Sequence, residues 1–436
     1  MGHITSKSHL DLQKRLEKSP QGAPASDSLF KILEILFTED EALLVSKLPI
    51  KFFSIAQAAK IWKKSEKEAH KILDELADKG LLLDLQKGKR KDYILAPTMA
   101  GFFEFSLMRT DGKFDRKVLS ELYYQYINVE DGFVKEVLGL KPEIARTLVH
   151  EDQVKEYKSI ILDYERASKV IDTATCITVG TCYCRHKMEH MNKACSQPQD
   201  VCLTFNNAAK SLSKHVIAKK ISKAEAHKIL DRCIKLGLVQ IGDNVQEGVS
   251  WICNCCGCCC EAILAYKHLG RKMNLTSNFY ASCSEPDCTG CGVCIKKCPV
   301  DAIKKKGKVV DVDDEQCIGC GVCARFCPTK ALSMDRRSET GFVPKDAFER
   351  FVVGAINEGK LQNLIFDNYS LWTHTMLRQL LGVLFKLPPA KWILMNQQLR
   401  SRFLDNAIKA YSKINKDLKP MLDEGKLDYT HPELKK

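Results

Sequence analysis

This chain of 436 residues contains no long apolar run. One of the longest, from Leu380 to Phe385, is far too short to cross a bilayer, which takes about 20 consecutive apolar residues. The first twenty residues are polar and charged and contain no apolar stretch of the kind that directs secretion. We therefore expect no signal peptide, no transmembrane segment and a cytoplasmic location.

Glycine-rich phosphate-binding loops and dinucleotide-binding fingerprints are also missing. A nucleotide or flavin, if one is used, is therefore expected to come from a partner. Positive charge is in excess, because 67 Lys and Arg residues against 54 Asp and Glu residues leave a formal net charge of +13. This excess indicates an acidic partner or surface, but it does not select nucleic acid.

Cysteine is the residue present in unusual number, with 21 copies. In a secreted protein this number would indicate disulfide bonds, whereas a reducing cytoplasm keeps thiols free. Free thiols in such number are typical of metal and iron–sulfur sites.

Eight of the cysteines form two copies of one spacing, C-x2-C-x2-C-x3-C, each followed by proline. The copies are Cys288, Cys291, Cys294 and Cys298 before Pro299, and Cys317, Cys320, Cys323 and Cys327 before Pro328. A thiolate at every third residue lets a tight loop bind three corners of a cubane, and the fourth Cys reaches the other cluster. A zinc site needs only four ligands, usually as two separated C-x2-C pairs. The spacing therefore predicts two [4Fe–4S] clusters, one-electron chemistry and an anaerobic host, since such clusters are often oxygen-labile.

Residues 285–332 resemble the two-cluster bacterial ferredoxins, since Cys-Thr-Gly-Cys-Gly-Val-Cys at 288–294 matches Cys-Ile-Gly-Cys-Gly-Val-Cys at 317–323. The resemblance implies a pseudo-twofold module with one cluster in each half. The implied ligands are Cys288, Cys291, Cys294 and Cys327 for the first cluster, and Cys317, Cys320, Cys323 and Cys298 for the second.

A second set of cysteines precedes this module. Its members are Cys182, Cys184, Cys195 and Cys202. Four soft thiolates beside an iron–sulfur module predict a third [4Fe–4S] cluster, with zinc or iron as the alternative. Arg185 and His186 either donate hydrogen bonds to its sulfides or form an exposed basic turn.

A third, denser set places six thiols within eight residues. They are Cys253, Cys255, Cys256, Cys258, Cys259 and Cys260. In a helix these thiols would divide between two faces, which could serve two metal centres, or one centre and a redox-active thiol pair. In a loop around Gly257 such faces are not defined. We predict that part of this set ligates a further cluster, with a dithiol/disulfide site as the alternative. Cys176 and Cys283 have no predicted role.

Residues 174–332 as a whole resemble uncharacterised iron–sulfur proteins of anaerobic bacteria and archaea. Those proteins carry a C-x-C-R motif, a C-N-C-C-G-C-C-C stretch and then a two-cluster ferredoxin module. In this chain the motifs lie at 182–185, 253–260 and 288–327. The resemblance implies cluster binding and electron transfer but names no substrate.

The N-terminal part has a different pattern. Residues 27–97 predict three helices and then a hairpin around Lys87 to Lys91, which is the order of a winged-helix domain. The helix that would enter a DNA groove, at 65–79, has more acidic than basic residues. DNA phosphates repel acidic side chains, so a scaffolding role is favoured over DNA binding.

The pattern of that helix recurs in the Cys-rich region. Ser65-x-x-Glu-Ala-His-Lys-Ile-Leu-Asp74 is repeated as Ser222-x-x-Glu-Ala-His-Lys-Ile-Leu-Asp231, and Gly80 is repeated in step as Gly237. The repeat places Cys233 where Leu76 stands. We therefore predict that Cys233 is a buried core thiol and not a ligand.

Together these patterns predict a multidomain α+β chain. The expected parts are a polar N-terminal tail (1–26), a winged-helix-like domain (27–97), a helical connector (98–173), a Cys-rich iron–sulfur α/β domain (174–280), a ferredoxin domain (281–335) and a helical C-terminal region (336–436). In the last part an apolar stripe is formed by Trp372, Met376, Leu380, Leu381 and Leu384.

The expected cofactors are two [4Fe–4S] clusters and one or two further iron–sulfur clusters. The favoured function is an electron-transfer protein or redox-complex subunit that passes single electrons between the paired clusters and the upstream Cys-rich site. The alternatives are an oxidoreductase whose catalytic centre is that site, acting in disulfide-type reduction, and a redox-sensing winged-helix transcription regulator. The expected partner is a redox protein, and nucleic acid is disfavoured as a partner. The sequence is compatible both with a homo-oligomer and with membership of a larger redox complex.

Overall fold

The computed structural model describes residues 5–366, except 89, 113, 155–159, 270–272 and 274, together with residues 378, 379 and 382. Helices and sheets are both abundant in this part of the chain, which confirms the predicted mixed α+β class. The predicted apolar stripe from Trp372 to Leu384 lies outside the described residues.

The first element is helix α1 (Lys7–Glu17), which begins after Ser6, whose side chain accepts a hydrogen bond from the backbone N–H of His9. Leu12 and Leu16 lie four residues apart on the inner face of this helix and are buried in the main core. Residues 7–17 of the segment predicted as a polar tail (1–26) therefore form a packed helix, while the domain boundaries stay a prediction. Spacing of four between two leucines was the available sign of a packed helix.

Residues 27–95 form helices and a small antiparallel sheet. The elements are α2 (Asp27–Leu36), α3 (Glu39–Val45), β1 (Phe53–Ser54), α4 (Ile55–Trp62), α5 (Glu66–Asp78), β2 (Leu82–Lys87) and β3 (Arg90–Leu95). The strand order is β1-β3-β2. Reciprocal side-chain and backbone hydrogen bonds begin α4 at Ser54 and α5 at Ser65, as their capping-box patterns predict. The interpretation of this segment as a winged-helix-like domain stays a prediction.

Residues 98–176 connect this segment to the Cys-rich region. The elements are α6 (Phe103–Met108), α7 (Arg116–Tyr123), α8 (Asp131–Phe133), β4 (Ala145–Leu148) and α9 (Ala167–Thr173). Phe103 packs against Tyr123, Tyr126 and Phe133, with ring centroids 4.7–6.0 Å apart. The connector is not purely helical, because β4 is an edge strand of the large sheet that follows.

The Cys-rich region is built on a six-stranded antiparallel sheet. Its elements are β5 (Ile177–Thr181), α10 (Tyr183–His190), β6 (Asp200–Phe205), α11 (Asn206–Lys214), β7 (Lys219–Ile221), α12 (Lys223–Lys235), β8 (Val239–Asp243), β9 (Trp251–Cys255) and α13 (Glu261–Leu269). The strand order is β4-β8-β9-β6-β5-β7. This order places β9, β6 and β5 side by side, although they are far apart in sequence.

The repeated helix pattern corresponds to two similar elements. Helices α5 and α12 both begin with a capping box, and each is followed by a glycine of positive φ, 79° at Gly80 and 76° at Gly237. Cys233 is fully buried in α12, which confirms the prediction of a core thiol.

The ferredoxin region consists of two similar halves. Its elements are β10 (Phe279–Cys283), α14 (Val293–Lys297), β11 (Ile303–Lys306), β12 (Val309–Val312), α15 (Val322–Arg325) and β13 (Leu332–Arg336), and they are followed by α16 (Ala347–Asn357) and α17 (Leu361–Ile365). Strand β10 pairs with β13, and β11 pairs with β12. Helices α14 and α15 begin after equivalent glycines, Gly292 and Gly321.

The ferredoxin region packs directly on the Cys-rich region. A Cβ built on Gly237 would lie 2.8 Å from the ring of Phe326, and the backbone N–H of His150, in the connector, donates to the carbonyl oxygen of Cys320 at 3.0 Å. Residues of both regions therefore share one hydrophobic core. Within the described residues, no helix has the length and apolar character that crossing a membrane requires.

Candidate metal centres

Four of the cysteines predicted as cluster ligands surround one apolar cavity. Cys298, Cys317, Cys320 and Cys323 line it together with Val300, Ile303, Ile318 and Met334. Burial raises the pKa of the Cys320 and Cys323 thiols well above its usual value, since an apolar site disfavours a free thiolate. A cavity of this kind suits a cubane, because iron binding replaces the thiol protons and neutralises the thiolate charge.

The other predicted ligand group lies nearer the solvent. The Cys294 thiol interacts electrostatically with those of Cys327 and Cys291, and the Cys283 thiol interacts with that of Cys288. Cys291 is exposed, while Cys288 and Cys327 are half-buried. The chain therefore brings together the set that the ferredoxin resemblance implies, and it adds Cys283, for which the sequence predicted no role.

Two glycines let the cysteine loops pack tightly against their supports. A Cβ on Gly319, which has a φ of +71°, would lie 2.1 Å from the carbonyl oxygen of Phe279. A Cβ on Gly290, at +62°, would lie 2.4 Å from the carbonyl oxygen of Lys308. A side chain at either position would push the loop away from the backbone behind it, so glycine is required there.

Upstream of this module, four thiols form a compact group. The sulfur atoms of Cys195, Cys256, Cys258 and Cys259 all lie within 4.8 Å of one another. The Sγ–Sγ distances are 3.6 Å for Cys195–Cys256, 3.7 Å for Cys258–Cys259 and 3.8 Å for Cys195–Cys259. Four thiolates bound to one tetrahedral ion at about 2.3 Å have sulfurs about 3.8 Å apart. This four-thiol group therefore has the dimensions of a site for a single metal ion.

The remaining upstream thiols form a separate set, which we call the six-thiol ring. Its members are Cys182, Cys184, Cys202, Cys253, Cys255 and Cys260. The Cys182 thiol interacts with those of Cys184 and Cys202, the Cys253 thiol with those of Cys202 and Cys255, and the Cys260 thiol with those of Cys184 and Cys255. The Sγ atoms of Cys255 and Cys260 are 3.1 Å apart. Each thiol thus interacts with two others, so that the six thiols form a closed ring.

Sheet pairing explains how the six-thiol ring forms. Cys182 follows β5, Cys202 lies in β6, and Cys253 and Cys255 lie on one face of β9. Strand β5 pairs Gly180 with Cys202, and β6 pairs Leu203 with Ile252. Cys184 comes from the start of α10 and Cys260 from the residue before α13.

The structure groups these thiols differently from the expected third cluster, and of the two alternatives for Cys253 to Cys260 it shows the loop around Gly257. Cys195 does not lie with Cys182, Cys184 and Cys202, because the loop after α10 carries it to the four-thiol group. The stretch from Cys253 to Cys260 is a strand followed by a turn, not a helix, so helical faces do not divide its thiols. Instead Cys253, Cys255 and Cys260 join the six-thiol ring, and the turn residues Cys256, Cys258 and Cys259 join the four-thiol group.

Arg185 lies between the two upstream groups and is 1% exposed. Its guanidinium donates at 2.7 Å to the carbonyl oxygens of Pro198 and Asn254. Burial alone would lower the pKa of Arg185, but the neighbouring Cys182, Cys256 and Cys255 raise it above its usual value. Hydrogen bonding by Cys259, together with the charge of Arg185, lowers the pKa of Cys256 to about 4. The alternative of an exposed basic turn is therefore wrong.

The next residues of α10 are also buried. The Nδ1 atom of His186 is 2.7 Å from the carbonyl oxygen of Leu107, and its Nε2 atom is 3.2 Å from that of His190. Lys187 forms an ion pair with Glu261, and both side chains are almost fully buried. Asn128 donates to the same carboxylate at 2.6 Å. No local pattern predicts this pair, since Lys187 and Glu261 are 74 positions apart.

The turn of the four-thiol group touches the ferredoxin module. A Cβ on Gly257 would lie 2.9 Å from the carbonyl oxygen and 3.1 Å from the Cα atom of Pro299, the residue after Cys298. The upstream thiols and the buried ferredoxin thiols are therefore joined by direct backbone packing.

Comparison with known proteins identifies one part of the chain. Residues 287–331 match the family model of a 4Fe-4S dicluster domain. The chain therefore contains a ferredoxin-like iron–sulfur module that binds 4Fe-4S clusters, and this module with the four-thiol group points to iron–sulfur electron transfer. Searches of curated proteins and of solved structures gave no match.

Proposed function

We propose that this chain is an iron–sulfur electron-transfer protein that passes single electrons between two ferredoxin-type clusters and the upstream thiol-ligated centres. Cys288, Cys291, Cys294 and Cys327 hold the outer cluster in this proposal, and Cys298, Cys317, Cys320 and Cys323 hold the inner one. The observation that carries it is the contact between Gly257 and Pro299, which puts the four-thiol turn against the residue after an inner-cluster ligand.

The exposure of the thiols supports a direction for the electron route. Cys291 is exposed, so a redox partner protein can approach the outer cluster closely. The cavity of the inner cluster is buried and apolar, which excludes water and small oxidants. Electrons therefore enter or leave through the outer cluster, cross to the inner cluster and reach the four-thiol turn without passing through solvent.

The four-thiol group holds one tetrahedral iron in this proposal. Its sulfur separations fit zinc equally well, but zinc has no second oxidation state and would not relay electrons. Metal analysis separates the two, because zinc at one equivalent would remove this group from the route and leave it a structural role.

The N-terminal segment acts as a scaffold and not as a DNA reader. The exposed face of α5 carries Glu66, Glu68, Glu75 and Asp78 beside Lys67 and Lys71. Strand β2 is covered by α11, because buried Asp84 accepts hydrogen bonds from Ser211 at 2.8 Å and from Lys214 at 2.5 Å. These contacts hold the hairpin on the Cys-rich region, and a transcription regulator is correspondingly less well supported.

Rapid reduction of the anaerobically purified full chain tests the electron route. A reduced ferredoxin serves as donor, since a protein of that size meets the surface only, and freeze-quench spectroscopy follows each centre separately. Cys291→Ala, which damages the outer cluster, should slow reduction of the upstream centres, while Cys233→Ala should not. Equal upstream reduction rates in the Cys291→Ala and unsubstituted chains would contradict the proposal.

A second candidate is an oxidoreductase acting at the four-thiol group. The observation that favours it is the exposure of Cys258, which leaves one member of that group open to a small substrate. Turnover of a low-molecular-weight disulfide with a reduced viologen, lost in Cys258→Ala and kept in Cys233→Ala, would establish this activity over the carrier function.

A further inference from the structure

Six thiols in one closed arrangement are more than a four-ligand metal site uses. We propose that the six-thiol ring binds one polynuclear iron–sulfur centre through six thiolates, as a metal site separate from the ferredoxin clusters and from the four-thiol group. The proposal goes beyond the electron route, because it stands whether or not the ferredoxin clusters deliver electrons to this centre.

The spacing of the ring excludes a single bound ion. Thiolates around one tetrahedral ion lie about 3.8 Å from one another. Among the described residues, the four-thiol group is the one set of three or more donors whose ligand atoms all lie within 4.8 Å of each other. No three ring sulfurs meet that limit, so the ring is too open for one ion and needs an occupant with several metal atoms.

All six thiols of the ring make the same number of contacts with other ring thiols. Each sulfur contacts two neighbours, and none lies outside the closed sequence of contacts. A four-thiolate cubane would leave two thiols as bystanders, and disulfides would divide the ring into isolated pairs. Five of the six side chains are buried and Cys253 is half-buried, so solvent does not stand in for a missing ligand.

Charge in the surroundings points to an anionic occupant. Arg185 is almost fully buried, and its Nε atom has no hydrogen-bond partner within the described part of the chain. Glu261, whose backbone follows Cys260, is already neutralised by Lys187. Arg185 is therefore a buried cation with a spare donor, beside Cys182 and Cys255 of the ring and Cys256 of the four-thiol group. A thiolate-bound iron–sulfur centre in the ring supplies both negative charge and sulfur acceptors for it.

The test compares iron loss across single variants of the full chain, purified anaerobically from cells grown on 57Fe. Cys182→Ala, Cys184→Ala, Cys202→Ala, Cys253→Ala, Cys255→Ala and Cys260→Ala should each lose the same Mössbauer component and the same amount of iron and acid-labile sulfide. The double variant Cys202→Ala/Cys255→Ala should lose no more than either single variant. Electron paramagnetic resonance of the ferredoxin clusters, kept at full intensity, shows that each variant is folded.

Two controls define the boundaries of the site. Cys195→Ala should remove a different component, that of the four-thiol group, and leave the ring component in place. Cys233→Ala, which changes a fully buried core thiol, should leave every component unchanged. If two of the six ring variants kept the full component, the centre would be a four-thiolate cubane and the proposal would fail.

The unsubstituted chain gives a check that does not depend on any variant folding. Two ferredoxin clusters account for about eight iron atoms and the four-thiol group for about one, so a loaded ring requires more than about nine per chain. A content at or below that number, with six ring thiols titrating as free thiols or as disulfides after denaturation, would overturn the proposal. Failure of the electron route alone would leave both results unchanged.

Discussion

The ferredoxin module and the upstream thiol region use the same residue to build metal sites in two different ways. In the module, each loop of a few residues brings three thiols together, and Cys298 and Cys327 lie with the thiols of the other half. In the upstream region, neighbours in sequence separate, since Cys255 joins the six-thiol ring and Cys256 joins the four-thiol group. The spacing of cysteines in the sequence therefore identifies a site only where its residues are close together in the chain. Where they are far apart, strand pairing in the sheet determines which residues meet.

The two regions also differ in which groups lie around their thiols. The module surrounds its inner thiols with apolar side chains and backbone N–H groups. The upstream region instead buries Arg185 and the pair of Lys187 with Glu261 among its thiols. We therefore expect the upstream sites to depend on individual charged residues, and the module to depend on close backbone packing. The following predictions separate the two.

The largest effect is expected from Lys187→Met. Removing the lysine leaves Glu261 buried without its partner, which costs about 3–5 kcal/mol. Urea denaturation followed by fluorescence measures the loss in free energy of unfolding. The upstream iron should be lost while the ferredoxin resonances persist. The double variant Lys187→Met/Glu261→Met should recover most of the stability, because it removes both charges; a double variant as unstable as the single one would contradict the explanation.

Gly319→Ala should damage the ferredoxin module by steric overlap. The new Cβ would lie 2.1 Å from the Phe279 carbonyl oxygen at a positive φ, and we expect a cost of about 3 kcal/mol. Gly292→Ala is the matched control, with a φ of +74° and nothing within 4 Å of its Cβ, and it should cost only about 1 kcal/mol. Thermal unfolding of the loaded protein gives both values, and equal losses would show that packing does not matter here.

Gly257→Ala tests the contact between the two regions. Its Cβ would press on Pro299 and cost about 1–2 kcal/mol. The expected result is slower reduction of the upstream centres with both sets of centres still loaded. Gly248→Ala, on the turn between β8 and β9, introduces backbone strain at a φ of +66° without any contact within 4 Å. If both variants transfer electrons equally slowly, the Pro299 contact is not part of the route.

The smallest effect is expected from pH, at the join between the N-terminal segment and the upstream region. Burial alone would lower the pKa of His215, but hydrogen bonds with Asp84 and Asp78 raise it above its usual 6.5. A raised folded pKa stabilises the protein fully below the unfolded value, and this contribution is lost as the pH rises through the folded value. Stability should therefore fall as the pH rises above the unfolded pKa of about 6.5. Urea denaturation of His215→Gln should show a weaker dependence; an equal dependence would assign it to other groups.

The sequence predicted the two equivalent cysteine loops of the ferredoxin part, because cysteines three residues apart can reach one cluster only from a tight loop. It predicted α5, α12 and the buried Cys233 equally well, since capping residues, apolar spacing and a following glycine are local properties. It failed for the upstream grouping, because nothing in the spacing of Cys182, Cys202 and Cys253 reveals that β5, β6 and β9 are neighbours.

The site residues that sequence reasoning missed have the same origin. Lys187 and Glu261 come together because the sheet brings the elements that carry them side by side. That the Nε atom of Arg185 has no hydrogen-bond partner depends on the side chains packed around it, which the sequence does not reveal. The packed helix α1 was missed for a different reason, since its apolar face is narrow and its remaining residues are polar.

The six-thiol ring also constrains how the protein matures. Its ligands come from three strands and from the residues beginning two helices, so the ring does not exist until the sheet has formed. Once the sheet has formed, most of its thiols are shut away from solvent. Loading of the iron–sulfur centre that we propose here would therefore have to accompany closure of the sheet, and a chain that folded before iron and sulfide were supplied would keep an empty ring. Assembly of the metal-loaded protein in the cell would then depend on when iron and sulfide are supplied relative to folding, as well as on the affinity of the thiols for iron.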